Sequence, residues 1–568
     1  MQPPASEAAK DEAASVPVAT AAPEGAAPAP PRKLFGVNPI KWVFALEYMM
    51  QGLANPFQGL TYQPFFKHLR FDYGLSEAAT QALFARSYLA WSFKPVLGFF
   101  IDAYGRTRTI LILLLGLGVF GYLFTPLLDQ GPGWFFWSMF VLSVALAGTD
   151  VAVDRATVLE GAEEAKTTGR SKATTVGLNQ AICWLSVYGT GALAALLGGW
   201  VAEHLPFRGL MALALVPAAV LGAVWLLPRD RVTPIKVTKS IAQFWSGLNT
   251  GPILGVMLFY FIFHFQPAMG ALWNNYLIEK LHFTQSEIGV SDFASYAGYF
   301  GGVLLFTWKG IAWQTSLGLR KCFRIFILVG IAVNLTQYLQ VDPWFSGISH
   351  GLATLLPFLN ESSVRLVYLC AYSALLALPV SVIRMSTFSL VGSVIPTTAA
   401  GSLFAGFMSV ANLAYAFGYG SGAWLYEHGM GFAPVRELQA SLFGLPGKAG
   451  DELSVNMLIL INSLAYVLSF VCVHVLPDRR ATQATEADEE VHPGPERWNV
   501  LETSLRRGID VVALVGGLVS VGLLIWQLDL EPISACLIAF FGWTMLRKLT
   551  LDALLRRAGP PPAASAPV

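Results

Sequence analysis

Apolar residues along this chain fall into blocks of about 20 or more, the length that an α-helix needs to cross the hydrocarbon core of a bilayer. Short polar stretches rich in Arg, Lys, Gly and Pro separate the blocks. This pattern predicts helices at about 40–66, 79–101, 109–128, 134–161, 174–202, 208–228, 252–280, 287–308, 318–340, 364–392, 398–427 and 453–476, followed by a helical hairpin at 510–528 and 532–550. The hairpin is predicted to turn at Asp529, Glu531 and Pro532. The chain is therefore predicted to be an all-α polytopic membrane protein.

The composition agrees with a membrane protein and argues against several other classes. Of the 568 residues, 54% are hydrophobic and 13% are charged, whereas a soluble domain carries about a quarter charged residues. A net charge of +1 gives no indication of a nucleic-acid partner. The cysteines lie singly inside apolar segments, which argues against a disulfide framework, a zinc site or an iron–sulfur cluster. No phosphate-binding loop or hydrolase motif is present, so we expect no enzyme activity, no metal and no cofactor.

The polar stretches divide the chain into predicted regions. Residues 1–35 are rich in Ala and Pro and are predicted to form a disordered tail, and the first helix is predicted to act as an uncleaved membrane signal. The remaining regions are two six-helix bundles at 36–230 and 250–476, a basic cytoplasmic loop between them at 231–249, a polar linker at 477–505 and an extra transmembrane hairpin at 506–557.

Basic residues predict the orientation of the chain in the membrane. If the N-terminus is cytoplasmic, the inner loops hold most of the Arg and Lys residues, among them Arg106, Arg108, Lys166, Arg229 and Arg320. The outer loops hold few. We therefore expect a multi-pass protein of the cell (inner) membrane, monomeric, with both termini in the cytoplasm.

An internal repeat supports the division into two bundles. One constant offset aligns Gly177 with Gly401, Trp200 with Trp424, Glu203 with Glu427 and His204 with His428. A second repeated pair relates Ser76–Glu77, before the second helix, to Ser286–Glu287, before the eighth. The hairpin has no counterpart and lies outside the repeat.

The strongest local motif joins the second and third helices and runs G-F-F-I-D-A-Y-G-R-T-R from Gly98 to Arg108. It resembles the gating signature of the major facilitator superfamily, although Ala103 stands where that family usually has a basic residue. Gly98 would allow close helix approach, and Gly105 would make the tight turn. Asp102 would hold a helix N-terminus or an Arg in one state and release it in another. We assign the gating motif to Gly98, Asp102, Gly105, Arg106 and Arg108.

Four further stretches resemble the folate–biopterin transporter family. They are the W-S-F-K-P-V-L-G from Trp91 to Gly98, the paired Asp150 and Asp154, the stretch from Gln266 to Phe283 containing W-N-N-Y, and L-F-A-G-F-M-S-V-A-N-L from Leu403 to Leu413. The resemblance spans about 40–476, with a glutamate one place late at Glu160 and an unexpected Arg155. It implies the major facilitator fold and transport of a folate or pterin by alternating access. Muropeptide permeases share much of the pattern, so a sugar–peptide solute is an alternative.

Charged residues inside the predicted helices are the candidates for chemistry, because a charge within the membrane costs several kcal/mol unless it meets a partner or a wet cavity. At 1.5 Å per residue, Glu47, Lys94 and Asp154 each lie about 10 Å below the cytoplasmic side, with Asp150 one turn further in. The network would bind a proton (Glu47, Asp150, Asp154) or a solute group (Lys94, Asp150). Alternatively it is a structural salt-bridge cluster, or Asp154 and Arg155 pair with Asp102.

In the second bundle, Arg384 stands without a nearby carboxylate in sequence, and a bound solute carboxylate would satisfy it; a backbone carbonyl or a helix end is the alternative. Asn274 and Asn412 are further candidate solute contacts. His264 is a candidate proton relay, but a hydrogen-bonded core histidine is the more common situation. We therefore predict a secondary active transporter that works as a symporter, with a proton as the coupling partner because carboxylates lie inside the membrane. The resemblance implies an anionic aromatic solute such as a folate or pterin as the other partner, which agrees with Lys94 and Arg384. A non-transporting membrane scaffold or sensor is the alternative of another class.

Overall fold

The fold is known from a computed structural model of the full chain, which describes residues 38–127, 131–225, 236–248, 251–267, 270–341, 344–355, 360–395, 400–476, 503–528 and 532–558. Residues 1–39 and 40–568 separate into two units, and only Asn38 and Pro39 of the first are described. The predicted tail at 1–35, the linker up to residue 502 and the turn at 529–531 lie outside the described residues. The described part is helical and contains no strands, which confirms the predicted all-α fold.

The helices of the first part of the chain are α1 Pro39–Ala54, α2 Tyr62–Lys67, α3 Glu77–Ser92, α4 Lys94–Tyr104, α5 Thr107–Phe124, α6 Pro132–Thr168, α7 Lys172–His204, α8 Leu215–Trp225 and α9 Val237–Leu248. They are followed by α10 Gly251–His264, α11 Ala271–Asn275, α12 Gln285–Leu305, α13 Ile311–Leu317, α14 Leu319–Leu335, α15 Trp344–Leu355, α16 Glu361–Val394, α17 Ala400–His428, α18 Ala433–Phe443 and α19 Val455–Cys472. The terminal pair is α20 Thr503–Leu528 and α21 Pro532–Ala558. Nine helical segments of the described residues are long and apolar enough to cross a membrane.

Two predicted spans are broken rather than continuous. The span expected at 40–66 stops at Ala54 and resumes at Tyr62, and the span expected at 252–280 stops at His264 and resumes at Ala271. Each break contains a proline, Pro56 or Pro267, which removes a backbone donor and disfavours helix in the preceding residue. Broken helices of this kind are tolerated within a membrane only where protein or a cavity surrounds them.

Side chains from distant helices satisfy backbone groups that the breaks leave free. The Tyr296 hydroxyl of α12 donates to the carbonyl of Gln58 in the first break at 2.9 Å. In the second break, the amide N–H of Ala271 donates to Gln81 Oε1 of α3 at 2.6 Å. Both segments then continue into a π-helical turn, His68–Asp72 after α2 and Tyr276–Lys280 after α11. The same succession of helix, break, short helix and π turn therefore occurs twice in the chain.

Four amphipathic or short helices fall where no helix was predicted: α9, α13, α15 and α18. The most informative is α9, because it lies within the stretch expected to be a basic loop. Its apolar side buries Phe244 and Leu248, and the Phe244 ring packs edge-on against Phe99 of α4 at 5.1 Å. The central connection is thus partly folded onto the helical core, since burying an aromatic side chain outweighs leaving it in a solvated loop.

Helix pairs far apart in sequence pack around the middle of the molecule: α7 with α12, α16 with α7, α3 with α17, and α4 with α17. Glycines allow these close approaches. A Cβ on Gly98 of α4 would lie 2.8 Å from Cα of Ser402, and a Cβ on Gly289 of α12 would lie 2.6 Å from the carbonyl oxygen of Ala195. The long helices consequently enclose a cavity between them.

Candidate solute cavity

The cavity has a volume of about 330 Å³ and is lined from α1, α3, α4, α6, α7, α10, α12, α16 and α17 and from both helix breaks. This volume lies at the lower end of the range of volumes found for ligand pockets. Five of the predicted site residues line it together: Lys94, Asp150, Asn274, Arg384 and Asn412. Glu47 and Asp154 lie behind the wall and are not among the lining residues.

Lys94 reaches the cavity because the span that contains it is kinked. Pro95 lacks an N–H, so the helix of α3 ends at Ser92 and α4 begins at Lys94. The Lys94 side chain is 1% exposed and forms an ion pair with Asp150 of α6. Its ammonium also lies 4.7 Å from the centroid of the Trp91 ring. The α4 and α6 side of the cavity therefore presents a nearly neutral pair rather than a free cation.

A second carboxylate is connected to this pair through Gln51 of α1. Its amide nitrogen donates to Asp150 Oδ1 and to Glu47 Oε1, both at 2.8 Å. The hydroxyl of Thr149 donates to the same Glu47 oxygen at 2.8 Å. The other Glu47 oxygen, Oε2, is buried without a hydrogen-bond partner among the described residues. Glu47 is thus one step behind the cavity wall and has capacity for a proton.

Asp154 belongs to the same polar core but has different partners. Its Oδ1 accepts from the hydroxyl of Tyr48 at 2.7 Å and from the amide of Gln180 at 3.0 Å. Its Oδ2 is buried without a hydrogen-bond partner in the described part of the chain. Of the two residues suggested as partners of Asp102, only Arg155 bonds to it, as described below.

Arg384 of α16 lies on the other side of the cavity in an aromatic cage. The guanidinium lies 4.9 Å from the Trp184 ring and 5.7 Å from the Tyr299 ring. Its N–H groups donate to the hydroxyl of Tyr415 at 3.1 Å and to that of Tyr188. No ion pair between Arg384 and a carboxylate is found within the described ranges. The cage leaves a full positive charge facing the cavity.

The predicted polar contacts of the second bundle are partly engaged by the protein itself. The amide of Asn274 donates to the hydroxyl of Tyr62 at 3.0 Å. The amide of Asn412 donates at 3.0 Å to the carbonyl of Trp91, which has lost its usual donor because residue 95 is proline. His264 Nδ1 donates to the carbonyl of Tyr260 at 2.9 Å, because a carbonyl oxygen can only accept.

The predicted gating motif lies at one end of the cavity, which we call the Asp102 end. Asp102 Oδ1 accepts from Arg155 Nε at 2.9 Å and from the N–H of Gly401 at 3.2 Å, and Oδ2 accepts from the N–H of Ser402 at 2.8 Å. These N–H groups belong to the first turn of α17, where backbone donors lack helical partners and the helix dipole favours an anion. With Gly98 against Ser402, this end is closed.

The remaining residues of the motif shape the connection from α4 to α5. Gly105 has φ +69°, a left-handed conformation that costs a side-chain-bearing residue strain. Arg106 precedes the first turn of α5 and lies with its guanidinium 5.6 Å from the Tyr104 ring. Arg108 donates to the carbonyl of Trp225 at the end of α8, at 2.5 Å.

The opposite end, which we call the Arg70 end, is closed by different contacts. Arg70 donates to Asn275 Oδ1 at 3.1 Å and forms an ion pair with Glu279 in the second π turn. Glu203 at the end of α7 accepts from the N–H and the hydroxyl of Ser286 at 3.0 and 2.6 Å. Contacts between distant helices therefore hold both ends of the cavity.

Several lining residues escaped the sequence analysis. The cage around Arg384 consists of Trp and Tyr residues that no sequence pattern distinguishes from ordinary packing residues. Gln51 carries no charge, so a criterion based on charged residues inside the membrane does not identify it. Asp292 of α12 also lines the cavity. It did carry a usable signal, because it is a carboxylate near the start of an apolar helix.

A sequence model described as Major Facilitator Superfamily matches residues 43–339. The folate–biopterin transporter of Synechocystis sp. (strain ATCC 27184 / PCC 6803 / Kazusa) is 24% identical over 460 residues, which cover 78% of this chain and 83% of that protein. The human organic anion transporter MFSD10 (TETRAN) has a similar fold, with a TM-score of 0.51 at 13% identity, over 77% of this chain and 98% of that one. The nucleoside transporter NupG aligns with a TM-score of 0.49 at 13% identity, over 79% and 98%.

Proposed function

The chain belongs to the major facilitator superfamily of membrane transporters, and from that premise we propose that it carries an anionic aromatic solute, such as a folate or pterin, by proton-coupled alternating access. The single observation that supports an anionic solute best is Arg384, a cation that lines the cavity and whose hydrogen-bond partners are the neutral hydroxyls of Tyr188 and Tyr415. A guanidinium pairs well with a carboxylate. The aromatic rings around it favour a flat solute.

The solute binds with its anionic group at Arg384, whereas Lys94 stays paired with Asp150 in the empty cavity. An incoming anion has more to gain from Arg384, because taking Lys94 would leave the Asp150 carboxylate buried and unpaired. Asn274 and Asn412 contribute hydrogen bonds from the walls. The name of the Synechocystis relative, a folate–biopterin transporter, agrees with a flat solute that carries carboxylates or ring N–H groups.

Glu47, Asp150 and Asp154 form the proton site. Gln51 links the first two carboxylates, and the free oxygens of Glu47 and Asp154 lie where water is excluded. Protonation of Asp150 removes the charge that holds Lys94 and weakens the hydrogen bond from Gln51. In this mechanism, binding of a proton to the network changes the charge that the first bundle presents to the solute. The movement of the proton is thereby coupled to the movement of the solute.

The contacts at both ends of the cavity support alternating access. The Asp102 end faces the cytoplasm in our proposal, as the distribution of basic residues predicts. The arrangement with both ends held is the intermediate between two open states, and each opening breaks the contacts at one end while the other stays closed.

The test is uptake of radiolabelled folate, pterin and muropeptide into proteoliposomes, with and without an inward proton gradient. We expect uptake of folate or pterin that is accelerated by the gradient, and its loss in Arg384→Gln. Arg365→Gln is the matched control, because Arg365 lies in the same helix and bonds to Ser349 and Ser346 away from the cavity. Uptake of muropeptide alone would favour the sugar–peptide carrier, and unchanged folate uptake in Arg384→Gln would contradict the anion site.

Asp150→Asn and Lys94→Ala test the coupling. We expect both to abolish gradient-driven uptake while the protein still elutes as a folded species in size-exclusion chromatography. Transport by either variant at the wild-type rate would refute the role of the Lys94–Asp150 pair. Absence of uptake of every solute in the wild type would favour a non-transporting scaffold or sensor.

A further inference from the structure

Asp292 is a carboxylate of the second bundle that lines the cavity and has no role in the mechanism proposed so far. One of its oxygens, Oδ2, accepts from the amide of Gln63 in α2 at 3.2 Å. No ion pair between Asp292 and a Lys, Arg or His is found in the described ranges. Asp292 therefore presents a negatively charged hydrogen-bond acceptor to the cavity, and its hydrogen-bond donor, the Gln63 amide, is neutral.

Asp292 and Arg384 are connected by one face of α12. Asp292, Tyr296 and Tyr299 are spaced four and three residues apart, which places them along one side of a helix. Tyr299 is the residue whose ring faces the Arg384 guanidinium. Seven residues of helix separate Asp292 from Tyr299, a distance of about 10 Å along the axis. The carboxylate and the guanidinium thus lie toward opposite ends of a strip of tyrosines.

The charges on this strip differ from those across the cavity. In the first bundle, Lys94 and Asp150 neutralise each other by direct contact. On the α12 and α16 side, the negative and positive groups are held apart, each with neutral partners only. A cavity wall with two separated, uncompensated charges favours a solute that carries the complementary charges at the same separation. Only such a solute gives both buried charges a partner at once.

We propose that the solute site is two-ended: Arg384 binds a carboxylate, and Asp292, about two helical turns away from Tyr299 along α12, binds a hydrogen-bond-donating edge or cationic group. The rings of Tyr296 and Tyr299 pack against the flat body between them. The substrate class is accordingly an elongated, amphoteric aromatic solute, rather than a simple anion. This inference rests on the proposed carrier function, whose anion site it extends.

An amidine is a suitable probe for the Asp292 end, because its two parallel N–H groups match a carboxylate in the same way as a guanidinium does. The long probe is 4′-amidinobiphenyl-4-carboxylate, in which the two end groups are separated by two rings. Biphenyl-4-carboxylate has the same body and the same anion but lacks the donor end. The short pair, 4-amidinobenzoate and benzoate, has the same end groups on one ring and cannot span from Arg384 to Asp292.

The experiment measures dissociation constants of the four probes by isothermal titration calorimetry, with the full-length protein in lipid nanodiscs. We expect the long amidine to bind at least about tenfold more tightly than biphenyl-4-carboxylate, the effect of one charge-assisted hydrogen bond in a buried site. The short amidine should bind no more tightly than benzoate. In Asp292→Asn, which can still accept from Gln63, the preference for the long amidine should fall to less than about twofold. Asp451→Asn is the control, because Asp451 is exposed and lies outside the cavity.

Equal affinity of the two long probes in the wild type would overturn the two-ended site, and so would a preference that persists in Asp292→Asn. The comparison of probes in the unaltered protein does not depend on whether a variant folds. The outcomes also separate this inference from the proposed function. If biphenyl-4-carboxylate binds to the wild type and not to Arg384→Gln, the anion site stands even when the amidine gives no advantage.

Discussion

The two closed ends of the cavity are held by chemically different contacts. At the Asp102 end, one carboxylate that is 5% exposed accepts from Arg155 and from two backbone N–H groups of α17. At the Arg70 end, the ion pair joins side chains that are 20% and 32% exposed. Water and salt screen the second pair far more than the first. The same formal interaction therefore contributes much at one end and little at the other.

The difference also concerns what each contact joins. Asp102 holds α4, α6 and α17 at a single point, so losing its charge affects all three helices at once. The Arg70 end distributes its contacts over separate pairs, since Glu203 and Ser286 form theirs independently of Arg70 and Glu279. We expect the Asp102 end to open in one cooperative step and the Arg70 end to yield gradually.

One reporter can measure both ends. Ser291 lines the cavity and is 5% exposed, so Ser291→Cys, in a background with the native cysteines replaced by alanine, reacts with a membrane-impermeant maleimide only when an end opens. Right-side-out and inside-out vesicles present opposite faces to the reagent. The labelling rates in the two preparations therefore report the two ends separately.

The largest expected effect is that of Asp102→Asn. The substitution removes the charge that Arg155 and the first turn of α17 share, and leaves a buried guanidinium unpaired, at a cost of about 2–4 kcal/mol to the closed end. We expect labelling to rise about 100-fold from one face only. Equal increases from both faces would mean that the variant has lost its fold rather than its closed end.

An intermediate effect is expected for Gly98→Ala. The added methyl group would lie 2.8 Å from Cα of Ser402, a backbone atom that can move only together with its helix. Such overpacking costs about 1–3 kcal/mol. Labelling should rise about tenfold from the same face as in Asp102→Asn. Gly116→Ala is the control, because a Cβ there meets nothing within 4 Å. A Gly98 variant that behaves like the Gly116 variant would argue against steric closure at this contact.

The smallest effect is expected for Arg70→Gln. Because the Arg70–Glu279 pair is partly exposed, its loss should cost about 0–1 kcal/mol and raise labelling less than about fivefold, from the face opposite to that affected by Asp102→Asn. Raising the salt concentration should produce a similar increase in the unaltered protein. A change as large as that of Asp102→Asn would refute the contrast between the two ends.

Sequence reasoning located the charged side chains well because helix geometry converts position into depth. Glu47, Lys94 and Asp150 come from three helices, and counting residues from the predicted helix ends was enough to place them together. Asp102 was identified by a motif whose glycines impose a specific backbone. In each of these cases the residue type itself is costly within a membrane, so its presence carries information.

The rest depended on contacts that only the folded chain defines. Pro56 and Pro267 were visible in the sequence, yet a proline in an apolar block can either kink a helix or break it, and the neighbours that satisfy the freed backbone decide which. Those neighbours include Tyr296 and Gln81, from distant helices. For the same reason the cage around Arg384 could not be anticipated, because no sequence pattern separates cavity-lining tyrosine and tryptophan residues from those that pack elsewhere.

The position of α9 ties the end of the chain to the transport core. Besides its contact with α4, Phe244 fills the space over Gly406 of α17, and the neighbouring Trp245 packs edge-on against Phe540 of α21 at 5.4 Å. Since α21 also contacts α17 directly, movement of α17 away from Gly98 has to carry the terminal pair with it or shear an aromatic interface. Truncation after residue 476 would thus remove the ring that packs on Trp245 and a helix that contacts α17. We expect this to change the rate at which α17 moves, even though no cavity residue is removed.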